Sequence, residues 1–107
     1  MSDSQDIHNP ARTTLSAVLE CGGASGVVAQ LEPALAALAA TDGEGAPVLA
    51  SLNLDLTRRP QAGQAVTLHL WIERATRTLV FAAAEVRLTA DDSLIGAGQV
   101  VLKRVGP

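Results

Sequence analysis

The stretch from Gly22 to Thr41, GGASGVVAQLEPALAALAAT, constrains the fold of this chain more than any other. Val27, Val28, Leu31, Leu35 and Leu38 recur at spacings of one, three, four and three residues, which on a helix gives one broad apolar stripe. Alanine fills most of the remaining positions. At roughly 1.5 Å per residue, about 18 helical residues reach about 27 Å, the width of a small domain. Glu32 is its only charged side chain, so such a helix has to be covered. Everything after Pro47 reads as strand and turn, and those strands are the expected cover.

A length of 107 residues suggests one domain with a modest core. Residues 1–11 carry Ser, Asp, Gln, Asn and Pro without periodicity and read as a flexible tail that includes His8. Residues 12–107 then form the single folded domain. Hydrophobic residues make up 48% of the chain, yet Trp71 and Phe81 are the only aromatics. Alanine, valine and leucine therefore supply the packing, and a partner subunit would add burial. A net charge of -3 and a pI near 5.2 argue against nucleic acid, which favours a basic face. The single cysteine, Cys21, excludes an internal disulfide and fits a reducing cytoplasm. The N-terminus is polar and acidic, unlike a signal peptide. The apolar run is interrupted by Gly26, Gln30, Glu32 and Pro33, so no membrane span is expected. Two histidines and one cysteine give no metal-ligand spacing, and no phosphate-cradling glycine motif is present, so neither metal nor cofactor is expected.

Arg12 to Glu20 alternates Leu15, Ala17 and Leu19 with Thr14 and Ser16, as a half-buried strand does. Cys21-Gly22-Gly23 breaks it. The helix starts with Ser25 as N-cap or one or two residues earlier. Pro33 either kinks it or opens a second helical piece, and Asp42-Gly43-Glu44-Gly45 ends it. Val48 to Leu56 alternates Val48, Ala50, Leu52, Leu54 and Leu56 with Leu49, Ser51, Asn53 and Asp55. After the loop Thr57 to Gly63, Ala65 to Arg74 sets Val66, Leu68, Leu70 and Ile72 against Thr67, His69, Trp71 and Glu73. Short connections lead to Thr78–Thr89 and Leu94–Val105, an antiparallel meander. The economical packing is α+β: an antiparallel β-sheet wrapped around one long central helix.

A glycine pair opening an apolar helix, the segment SLNLDLTRRPQAG and a meander ending LIGAGQVVLKR resemble the hotdog-fold acyl-CoA thioesterases, most closely the phenylacetate-pathway type. The resemblance covers about residues 14–105. It implies a hotdog fold, a homodimer often paired into a homotetramer, and sites between subunits that bind an acyl-CoA thioester. In such sites the helix start points backbone N–H groups at the thioester carbonyl, which would place that role on Gly22 and Gly23. A helix carboxylate acts as general base or nucleophile. Two positions depart from the pattern. Cys21 stands where the family has histidine, and Gln30 where it has the acid. Glutamine can orient a water but cannot take its proton. Glu32, about 200° further round a regular helix and so pointing away from Gln30's direction, is the substitute base if a kink at Pro33 or a shifted helix start rotates it back.

Each of these residues also has a plainer reading. Glu32 is either the base or a carboxylate favouring the start of a second helical piece. Cys21 is either a nucleophile at a helix start or a small apolar filler. Arg58 and Arg59 either hold coenzyme A phosphates or are solvated loop arginines. His69, Trp71 and Glu73, in line on one strand face, would meet a partner subunit. The function implied is hydrolysis of a small acyl-CoA. The competing readings are a non-catalytic acyl-CoA binder and a hydratase or dehydratase, whose usual Asp–His or His–Glu pair is not visible.

Overall fold

Alternation at period two builds the sheet. In β3 (Ala65–Ala75), Val66, Leu68 and Leu70 are fully buried while Thr67, His69 and Trp71 on the other face stay half-exposed. The computed structural model describes residues 11–41 and 46–105. The expected tail, apart from Ala11, and the Asp42-Gly43-Glu44-Gly45 turn lie outside those residues. The other elements are β1 (Thr13–Val18), α1 (Gly23–Ala40), β2 (Ala46–Leu56), β4 (Leu79–Leu88) and β5 (Leu94–Val105). β3, β4 and β5 form the expected meander. β2 then pairs with β5 and β1 with β3, giving a five-stranded antiparallel sheet in the order β1-β3-β4-β5-β2.

β2 corrects one face assignment. Its register slips between Leu49 and Ser51, so a bulge at Ala50 reverses the parity. Leu49 joins Leu52, Leu54 and Leu56 against the core, and Val48 turns outward at 51% exposure. Alternation read by eye assumes an uninterrupted ladder, and the extra residue breaks that assumption.

α1 lays Val27, Leu31, Leu35 and Ala39 on the inner face of the sheet, where they meet Val66, Leu68, Leu70, Val80, Val86, Val100 and Leu102. It runs as one helix through Pro33, so no second helical piece starts there. Pro33 and Ala29, whose carbonyl loses its helical donor, are both exposed, so that carbonyl can turn to water. The helix begins earlier than a Ser25 cap would set it. Gly22 is the N-cap, extended at φ -89° and ψ 176°, and Ser25 Oγ donates to the Gly22 carbonyl instead (3.5 Å). At the far end the Thr41 hydroxyl donates to the Leu38 carbonyl at 2.7 Å.

The sheet covers one side of α1 only. Ala24, Ser25, Ala29, Glu32, Pro33, Ala37 and Ala40 are exposed, and the molecule measures 38 × 37 × 19 Å, the thickness of one sheet and one helix. With 18 residues and a mean hydropathy of 1.2, α1 has the length and composition of a membrane-crossing helix, despite its interruptions. Its apolar stripe is spent on the sheet. Leu35, 1% exposed at the centre of this contact, is the sensitive position. Leu35→Ala should cost about 2–5 kcal/mol in urea denaturation, whereas Ala37→Ser on the open side should stay within about 0.5 kcal/mol.

Candidate functional site

The start of α1 is pinned by backbone, not by side chains. Leu19, buried just after β1, donates its N–H to the Gln64 carbonyl (2.9 Å) and accepts from Gly63 N–H (2.7 Å). Gly23 N–H donates to the Pro60 carbonyl at 3.0 Å. A Cβ on Gly22 would sit 3.1 Å from that same oxygen, so the residue is glycine because the loop comes this close. Gly26 is tighter still, since a Cβ there would lie 1.8 Å from the Cys21 carbonyl oxygen. Pro60 is buried, and Thr57 anchors the far end of the loop through its N–H to Ile95 O (2.8 Å) and its hydroxyl to Leu94 O (2.8 Å).

The arrangement brings Gly22 and Gly23 onto the Arg58-Arg59-Pro60 loop. Both arginines are exposed. Arg58 also faces the β4–β5 turn. There the Asp91 carboxyl is held below its usual range, first by the Ser93 hydroxyl (2.7 Å), next by the Ser93 N–H (3.0 Å), and then by the field of Arg58. The helix tip itself is open. Its cap has no side chain, its first turn has no acidic residue, and a Cβ on Gly23 (φ +75°) would meet nothing within 4 Å. A helix start leaves its first N–H groups without intrahelical acceptors. Gly23 spends its own on Pro60, which leaves Gly22, Ala24 and Ser25 around an accessible, electropositive tip.

Gln30 and Glu32 are not at that tip. Gln30 Nε2 donates to the Val18 carbonyl at 3.3 Å and ties the helix to the end of β1. Glu32 is exposed, about 200° round a regular helix from Gln30. Nine residues separate it from Gly23, about 13 Å along the axis. Cys21 is exposed, which removes the reading of a packed filler. His69 lies on the sheet face turned away from α1, with Nδ1 3.4 Å from Thr14 Oγ1, so the two form no nucleophile–base pair.

That outer sheet face holds a feature the sequence reading did not assemble. Asn53 and Asp55 of β2, Trp71 and Glu73 of β3, and Gln99 of β5 rim a cavity of about 310 Å³ floored by Ala83, Ala97 and Gly98. The pairing of β2 with β5 brings them together, and no local pattern announces a pairing between strands so far apart in sequence.

The model of the thioesterase superfamily matches residues 22–95, from the helix tip to the start of β5. This chain belongs to the thioesterase superfamily. Several solved structures share its fold. Zebrafish thioesterase superfamily member 2 is 18% identical, with 90% of this chain and 76% of that one covered at a TM-score of 0.70. The Escherichia coli PaaI protein of the phenylacetic acid degradation operon is 15% identical, with 90% and 72% covered at 0.73. A Streptococcus mutans protein crystallised with acetyl-CoA is 7% identical, with 92% and 84% covered at 0.77. At these identities the likeness is one of fold, the hotdog arrangement of five antiparallel strands and one helix. A search of curated proteins by sequence finds no match.

For this thioesterase-superfamily chain the glycine junction should be the least tolerant stretch of backbone. Gly26→Ala, which sets a methyl against the Cys21 carbonyl, should cost about 3 kcal/mol or more in denaturant unfolding. Gly63→Ala meets open space but holds φ +87°, and should cost about 1–2 kcal/mol.

Proposed function

We propose that this chain hydrolyses a small acyl-CoA thioester in a site completed by two copies, a homodimer of the reducing cytoplasm. The observation that carries the reading is the open, glycine-capped start of α1 seated on the arginine-bearing loop, in a chain of this superfamily. The thioester oxygen is held by the N–H groups of Gly22 and its neighbours, with Gly23 shaping the turn. Arg58 and Arg59 flank that tip and suit the phosphates of coenzyme A, because a planar guanidinium matches phosphate oxygens.

Within one chain Glu32 is about 13 Å along the helix from Gly23. The base must therefore come from the second copy. Its carboxylate takes a proton from water, the hydroxide adds to the carbonyl carbon, and the oxyanion forms at the glycine N–H groups. Collapse of that intermediate breaks the carbon–sulfur bond. The proton on Glu32 passes to the departing thiolate, leaving a carboxylic acid and free coenzyme A. Gln30 orients the water in this scheme.

A second reading is a non-catalytic acyl-CoA binder. It is favoured by Cys21 and Gln30 at the usual histidine and acid positions, and by the engagement of Gln30 with Val18 O. Thiol release from short, aromatic and long acyl-CoAs separates the two. Hydrolysis should be measurable in the wild type, fall about 10²–10⁴-fold in Glu32→Gln, and show a raised KM in Arg59→Ala. Turnover that survives Glu32→Gln and Gln30→Ala rejects the residue roles. No turnover, with acyl-CoA raising the Tm, selects the binder.

A further inference from the structure

We infer that the cavity on the outer face of the sheet binds a small guanidinium compound, its charged head over Ala83 and Ala97 and its apolar body laid toward Phe81. The strand registers place the walls. One outward row runs His69, Glu85, Ala97 and Asp55 across β3, β4, β5 and β2, and the next runs Trp71, Ala83, Gln99 and Asn53. Ala97 and Ala83 are diagonal neighbours in this grid, so two short side chains meet inside a ring of long ones. The hollow they leave, about 310 Å³, lies at the small end of the roughly 300–1,000 Å³ of ligand sites. Ala83 points outward yet is only 4% exposed, because it forms the floor. Glu85 stands one strand from Ala97 on one side and Asp55 one strand away on the other. A cation above Ala97 therefore lies between two carboxylates.

The chain itself displays how a guanidinium sits here. Arg12 stacks on Trp71 with its guanidinium carbon 4.0 Å from the ring centroid, and its Nη1 lies 3.8 Å from Glu85 Oε1. A planar cation on an indole face beside a carboxylate is an arrangement that suits guanidinium better than ammonium. The Arg12 side chain is half-exposed in that contact, so a free guanidinium can take its place. Glu85 is shared with Arg87, whose Nε is 3.4 Å from the same oxygen. Asp55 and Glu73, also on the cavity wall, have no ion-pair partner among the described residues. Their charge is open to a ligand. A second hollow of about 210 Å³, lined by Ser51, Phe81 and Val101, shares Asn53, Glu73 and Gln99 with the first. Head and body are thus separated along one trough, which selects an amphipathic cation. The trough lies across the sheet from α1, so the inference is independent of the helix-tip site.

The test is calorimetric titration of the full chain with butylguanidine and with butylurea, a neutral probe of nearly the same shape. Trp71, the only tryptophan, reports occupancy by its emission. Butylguanidine should bind and change that emission, and butylurea should do neither. Asp55 and Arg12 are exposed, so replacing them leaves the core intact. Asp55→Lys should weaken binding at least about ten-fold, by setting a like charge beside the head. Arg12→Ala should tighten it about three-fold or more, since the ligand no longer displaces the chain's own guanidinium. Ala83→Leu fills the floor and should abolish binding. No binding of butylguanidine, equal binding of butylurea, or unchanged affinity in Asp55→Lys overturns the proposal. So does an Arg12→Ala variant that binds no tighter, or an Ala83→Leu variant that folds and still binds.

Discussion

The approach of backbone to backbone at the start of α1 holds the molecule to its form. Gly22 and Gly26 let three segments meet without side chains between them, the end of β1, the first turn of the helix and the Pro60 loop, while Gly23 supplies the positive φ and the N–H that bonds Pro60 O. Once Pro60 O has accepted from Gly23 N–H, the helix can leave in only one direction, along the inner face of the sheet. Val27, Leu31, Leu35 and Ala39 then fall at the spacing that meets the strands. The same constraint keeps the tip open. A side chain at Gly22 would crowd the Pro60 carbonyl oxygen, 3.1 Å from its Cβ, and with glycine there the helix start carries no side-chain cap.

Much of this was legible because the relevant signals are local. Period-two alternation in β3 and the apolar stripe of α1 are each written within about a dozen residues, and the structure follows both. The misreadings came from effects that sequence spacing does not encode. A bulge at Ala50 moved Leu49 inward and Val48 outward. Pro33 opened no second helical piece, since the helix continues through it with Pro33 on its exposed side. Ser25 did not cap, because the approach of Pro60 moved the helix start back to Gly22. Gly26 is the position whose importance composition could not reveal, since a glycine within a helix reads only as a weak spot until the Cys21 carbonyl is seen beside it.

The site was legible only in part, and the reason is geometric. Gly22, Gly23 and the arginine loop are brought together by hydrogen bonds within one chain, so a glycine pair and an Arg-Pro-x-x-Gly turn suffice to find them. Glu32 and Gln30 are fixed at their places along a rigid helix and point to different sides of it. Neither can reach the tip of its own helix, so any part they play depends on a second copy, which one chain's sequence does not describe.

The same limit bears on how the chain is covered. This is a two-layer molecule with one face of its helix and one face of its sheet open; small side chains dominate the open face of the helix, while Trp71 and Phe81, the only aromatics, lie on the open face of the sheet. The two faces are not equivalent. An alanine surface on a helix is smooth and accepts a partner at several registers with similar energy. The sheet face carries Phe81 beside a recess over Ala83, with Asp55 and Glu85 toward one end and Lys103 toward the other. Aromatic side chains are scarce in this chain, and both of them stand on that face and not in the core. Burial by alanine, valine and leucine suffices for the interior between helix and sheet. On the outer face bulk and hollow stand side by side, since Phe81 and Ala83 are two residues apart on one strand.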